Sequence, residues 1–139
     1  MNRYLPLIGR VLIGLPFVMS GFGKLAAYGK TTAMISAVGL PFPPLAYAVA
    51  VVLELGGGLL MIAGCQVRPV AIAQAIFTIA AAASFHTNFA DQNQMIHFLK
   101  DVMIAGGLLQ VAAFGAGAFS LDNRFSRDRG TIANAAPAR

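Results

Sequence analysis

The sequence predicts an all-α membrane protein: a bundle of four transmembrane helices with a short interfacial helix in the first external loop. Three observations lead there. The side chains are 58% hydrophobic and only 11% charged, against roughly 45–50% and 25% in soluble domains. A chain of 139 residues therefore has too few polar groups to cover a water-facing surface. The apolar residues also gather into four stretches, 5–22, 45–63, 69–85 and 98–114, of 17–19 residues each. At about 1.5 Å per residue these span roughly 26–28 Å, close to a hydrocarbon core of about 30 Å. Helices are the economical solution, because backbone polar groups in lipid must be satisfied within their own segment.

The first stretch carries Arg10 in its body, and Lys24 crowds the only small-residue pair, Ala26-Ala27. It reads as a span and not as a cleaved leader. The loop that follows, 23–44, is too long for a plain turn. Its GKTTAMISAV segment reads as a short helix with Thr31 or Thr32 near the start and Gly39 just past the end. The prolines of GLPFPP then forbid helix until the second span. The second external loop, HTNFADQNQMIH, is the most polar stretch between spans and holds both histidines. Tyr4 and Tyr47 fall at span ends and Tyr28 just beyond one, as an aromatic belt requires. Residues 1–119 form the membrane domain; 120–139 read as a polar, basic tail without periodicity, expected to be disordered.

With four spans, the N-terminus, the 64–68 turn and the tail share one side. That side carries Arg3, Arg68, Arg124, Arg127, Arg129 and Arg139, with Arg10 near it; the other offers Lys24, Lys30 and Lys100. The positive-inside rule places both termini in the cytoplasm. The net charge of +5 is thus a matter of topology. With no contiguous basic face, nucleic acid is excluded as a partner. The partner that composition does require is the lipid bilayer.

Glu54 raises the sharpest chemical question, because it stands about midway along the second span. A lone charge there is disfavoured by about 2.5–3.5 kcal/mol on insertion scales, so it must be neutralised or paired. Arg10 is the expected partner. It shares a stripe with Gly14, Phe17, Gly21 and Lys24, while Glu54 shares a face with Ala50, Gly57, Gly58 and Met61. Small residues let the two backbones approach. The pair reads either as a structural element that sets helix register or as a ligand or proton site. Gln74 and Thr78 extend a polar lining along the third span. His86, His97, Lys100, Asp101 and Lys24 form candidate ligand groups at the outer mouth, with Lys100-Asp101 near the start of the fourth helix. Gln110 lies on the opposite side of that helix from Asp101.

Other readings close quickly. The single cysteine, Cys65, leaves no CxxC, no intrachain disulfide and no thiol–disulfide exchange. Two histidines eleven residues apart without a third ligand make a poor metal or haem site. The Gly56-Gly57-Gly58 run lies inside a span and serves packing, not phosphate binding.

The ordered motifs resemble the DoxX family. They are GRVLIGLPFVMSGFGKL (9–25), VGLPFPP (38–44), VLELGGGLLMIAGCQVRPVA (52–71), ASFHTNFAD (83–91) and GAGAFSLD (115–122). Glu54, the glycines and Arg68 stand where the family has its glutamate, glycines and loop arginine; Ala116 stands where proline is common. Within the family the chain looks most like the small bacterial inner-membrane proteins of the YphA type. The resemblance implies a four-helix protein of the bacterial inner membrane and an association with quinone-linked oxidoreductases. No flavin, haem, iron–sulfur or dithiol motif is evident. Redox chemistry would therefore draw on a bound quinone or on a membrane partner subunit. The alternative is a non-enzymatic scaffold, or a small-solute or proton transporter subunit, which would need to form a homo-oligomer to enclose a path.

Overall fold

The computed structural model describes residues 3–127. Four helices are long and apolar enough to cross a membrane, and the described residues contain no strand. At 19–23 residues each covers roughly 28–35 Å. The end of the bundle holding the N-terminus, the 64–66 turn and residues 115–127 is called the termini end. The opposite end is the loop end.

The first span, α1 (Leu5–Ala26), runs one turn further than its apolar stretch because Phe22 to Ala26 stay in helical register. Ala27 breaks it, and α2 (Tyr28–Ala37) follows at once. This is the expected short helix, starting one residue before the GKTTAMISAV segment. Thr31 and Thr32 do not cap it: their hydroxyls donate back to the carbonyls of Ala27 and Tyr28. Gly39, at φ +78°, ends it as expected. Pro43 and Pro44 open α3 (Pro43–Val51) in its first turn, where a missing N–H does no harm.

The second span continues through one π turn (Val52–Gly56) into α4 (Gly57–Ala63). Gly64, at φ +74°, closes α4 by donating its N–H to Leu60 O. The third span is α5 (Val67–Phe85). The fourth, α6 (Gln92–Phe114), begins at an N-cap, where Asp91 Oδ1 accepts from Asn93 N at 2.9 Å. It starts six residues before its apolar stretch, since a capped polar turn needs no lipid. Lys100 and Asp101 therefore sit in the body of the helix and not at its start.

The spans pack as two antiparallel hairpins, α1 with α3–α4 and α5 with α6. Glycines fix the first hairpin's axial register. A Cβ on Gly14 would lie 2.9 Å from Gly58 O, and one on Gly21 would lie 2.8 Å from Leu55 N. An apolar core of Met61, Val67, Ala71, Ala75, Ala105, Leu108 and Ala116 fills the termini-end half. Large apolar residues such as Leu12, Ile76, Met103 and Phe114 point outward, as lipid-facing positions do.

The described part of the polar tail is packed. Residues 121–127 are helical, Asp122 N donates to Gly64 O at 2.9 Å, and Asn123 Nδ2 donates to Ala118 O at 2.9 Å. The remainder, 128–139, for which disorder is expected, lies outside the described residues.

Candidate functional site

The expected Arg10–Glu54 contact does not form. Glu54 is paired with Lys24, whose Nζ lies 2.9 Å from Oε1 and 2.7 Å from Oε2 and donates a third hydrogen bond to Ser20 Oγ at 2.9 Å. The glycine register explains this. With Gly21 against Leu55 and Gly14 against Gly58, Ser20 comes level with Glu54, while Arg10 faces Met61 and Ile62. That puts about 12 Å of helix rise between Arg10 and Glu54. Side-chain direction adds to it, because Cα–Cβ bonds lean toward each helix's own N-terminus. In α1 both basic residues lean toward the termini end, and in the antiparallel second span Glu54 leans toward the loop end. Lys24 and Glu54 converge; Arg10 and Glu54 diverge.

Arg10 is buried, at 1% exposure, and its work lies elsewhere. Its Nη1 donates to Met61 O at 3.0 Å and Ile62 O at 3.2 Å, and its Nη2 donates to Phe119 O. A cation thus closes the C-terminal carbonyls of α4, where the helix dipole is negative, and ties the 115–120 segment to them. Beside it, Asp122 caps the start of α5. Its Oδ1 accepts from Gln66 N at 2.7 Å and its Oδ2 from Val67 N at 3.0 Å. This knot ties the end of α4 and the start of α5 to the segment that follows α6.

The π turn at Glu54 has a visible cause and a visible support. Gly57 N–H is shared between Val52 O and Glu54 O, passing over Leu53 O. Gln74 Nε2 fills that gap at 3.0 Å, and glycine at 57 leaves it room, since a Cβ there would lie 2.9 Å from that nitrogen and push the side chain aside. Single π turns often mark functional positions, and this one carries the buried carboxylate. Gln74 Oε1 has no partner among the described residues. Thr78, on the next turn, donates its hydroxyl to Gln74 O at 2.7 Å.

Glu54 and Thr78 open onto a cleft of about 190 Å³, together with Phe17, Ser20, Phe77 and Asp101. The cleft lies between the two hairpins. At Gly107 a Cβ would meet Ile13 Cδ1 at 3.6 Å, so α1 and α6 touch there and part on the loop-end side of that contact. Asp101 is nine residues into α6, about 14 Å from its start, which brings it near Glu54's depth. From Asp101 the polar groups continue toward the loop end. Its Oδ2 lies 3.8 Å from His86 Nε2, too long for a hydrogen bond, and the rings of His86 and His97 stack at 5.1 Å. Lys100 is exposed beside them.

Of the residues singled out from sequence, the structure gathers Lys24, Glu54, Thr78, Asp101, His86 and His97 into one loop-end track. Gln74 serves as backbone support for the π turn, and Arg10 belongs to the other end. Lys24 starts near the loop end and reaches inward to pair with the buried carboxylate. Ser20 was missed; its place one turn before Lys24 on the stripe is the available signal. Asp122 was missed because its partners lie 55 and 56 residues away in the chain. Among the described residues no three His, Cys, Asp or Glu side chains converge as a metal site.

Known proteins resemble this chain over most of its length. The DoxX family model matches residues 5–87. Inner membrane protein YqjF of Escherichia coli (strain K12) is 36% identical over 121 residues, covering 87% of this chain and 92% of the relative. Inner membrane protein YphA of the same organism is 37% identical over 123 residues, covering 85% and 88%. No solved structure matches. The matched region takes in three of the four spans, with Arg10, Lys24, Glu54, Gln74, Thr78 and His86 inside it, and this chain belongs to the DoxX family.

Proposed function

We propose that this chain is an integral protein of the bacterial inner membrane, with both termini in the cytoplasm. Its cleft holds a small hydrogen-bonding head group of the quinone class and exchanges protons with the loop-end face. One observation carries the reading: Glu54 and Asp101, carboxylates from two different hairpins, line a single cleft at mid-membrane depth. Carboxylates at that depth are disfavoured and tend to mark proton relays or ligand sites. Location is supported by the two relatives, each named an inner membrane protein. Orientation is supported by Arg3, Arg68, Arg124 and Arg127 at the termini end. At the other end only Lys30 and Lys100 remain once Lys24 is drawn into its pair.

The residues fit such a head group. The cleft is below the roughly 300–1,000 Å³ of pockets for drug-sized ligands, which suits one ring and not a whole lipid. Phe17 and Phe77 offer apolar walls. Ser20 accepts from Lys24 and keeps its own proton to donate, while Asp101 can donate when protonated. When bound, a quinone would supply two-electron, two-proton carrier chemistry, with electrons from a partner subunit. The chain's own part is to hold the head group and pass protons among Glu54, Asp101 and His86. The apolar core below the cleft supports a blind-ended site over a path through one copy.

The test is mass spectrometry of what co-purifies in mild detergent with wild type, Asp101→Asn, Glu54→Gln and His97→Ala. A stoichiometric quinone that the folded Asp101→Asn variant loses supports the reading. Bulk phospholipid alone in every sample overturns it in favour of a scaffold.

A further inference from the structure

We propose that a second cleft, at the termini end, is a headgroup site for an anionic phospholipid, with Arg68 holding the phosphate. This rests on membrane embedding alone and not on the quinone reading. The cleft measures about 500 Å³ and is bounded by the start of α5, the end of α6 with its glycine turn, and the face of the 121–127 helix. Because spans of 19–23 residues just cross the hydrocarbon, their ends, and this cleft with them, lie at headgroup depth.

Arg68 lines the cleft and is exposed. Among the described residues it makes no hydrogen bond or ion pair. As the second residue of α5 it leans toward the helix start and so toward water. The guanidinium crosses to the far wall, where a Cβ on Gly115 would lie 3.5 Å from Nε and 3.6 Å from Nη2. It is therefore placed between α5 and α6 with its donors uncommitted, and a guanidinium fork matches phosphate oxygens. The carboxylate in the cleft, Asp122, keeps its charge but forms no ion pair with Arg68, because its two oxygens are held by the Gln66 and Val67 amides. Arg124 is exposed on the adjoining helix and adds to the positive field.

A free phosphate would use Arg68 alone. Phe114, 82% exposed at the cleft's edge, offers an apolar surface that only a ligand with an acyl chain would cover. Basic pockets between span ends are the sites at which acidic lipid headgroups settle.

The experiment purifies the full chain from mixed micelles holding equal amounts of phosphatidylglycerol and phosphatidylcholine, and counts retained lipids by native mass spectrometry. Wild type is expected to retain one phosphatidylglycerol selectively. Arg68→Gln is expected to lower that selectivity about fivefold, the equivalent of one basic contact. Arg68→Lys should recover part of it, and Lys30→Gln, which removes one charge at the loop end, should leave it unchanged. Millimolar inorganic phosphate should not displace the lipid. Equal selectivity in wild type and Arg68→Gln, an equal loss in Lys30→Gln, or displacement by phosphate would each overturn the assignment.

Discussion

Lys24 Nζ lies 2.7 Å from Glu54 Oε2, although Lys24 starts near the loop end of its span and Glu54 from the middle of the next. The lysine folds back along α1 to reach it, bracing on Ser20 on the way. Its side chain keeps 26% exposure against 8% for the glutamate. The cation stays partly solvated while it neutralises the more deeply buried charge.

Removing the cation strands the carboxylate. Lys24→Gln is expected to destabilise the fold by about 2–4 kcal/mol, somewhat under the range for fully buried pairs. Pairing it with Glu54→Gln should restore at least about 1 kcal/mol. Detergent-titrated unfolding of the two single variants and the double variant reads the coupling. Arg10→Gln combined with Glu54→Gln should instead be additive within about 0.5 kcal/mol; strong coupling there would contradict the assigned pairing.

Arg10 is expected to tolerate no replacement. Three carbonyls converge on its fork, and an ammonium cannot span them. Arg10→Lys and Arg10→Gln should both lose about 3 kcal/mol or more. A thermal melt showing wild-type stability for Arg10→Lys would count against the knot.

The three consecutive glycines should respond unequally to alanine. At Gly56 an added Cβ meets nothing within 4 Å, so Gly56→Ala should be neutral or slightly stabilising. At Gly57 it meets Gln74 Nε2 at 2.9 Å, which a side-chain shift relieves only by leaving Leu53 O unpaired, at about 1–3 kcal/mol. At Gly58 it meets backbone, Gly14 O at 2.9 Å and Val18 N at 3.0 Å, so the helices must separate and the loss should be largest. Melting temperatures in the order 56, 57, 58 check the ranking.

Asp122→Ala removes the cap of α5 and should cost about 1–2 kcal/mol. Amide exchange at Gln66 and Val67 should rise with it, which separates a lost cap from general loosening.

Much of this is legible in the sequence alone. The four spans, the short helix after the first, the Gly39 stop and the buried stripe of Arg10, Gly14 and Gly21 all follow from apolar length and helical periodicity. The start of α6 was less so, since a polar turn capped by Asp91 leaves no hydropathy signal. The error at Glu54 was of another kind. The stripe holding both Arg10 and Lys24 was correct, but a stripe fixes which face a residue occupies and not its height against the neighbouring helix.

The sequence by itself determined what crosses the membrane and which faces turn inward, because bilayer thickness and the 3.6-residue repeat act on each segment alone. Only the tertiary structure decided which charges meet. Gly14 and Gly21 set the axial register of α1 against the second span, and antiparallel helices tilt their side chains in opposite directions. Lys24 therefore descends to Glu54 while Arg10 turns away to the carbonyls of Met61 and Ile62. That choice belongs to a pair of helices, and no single stretch of sequence states it.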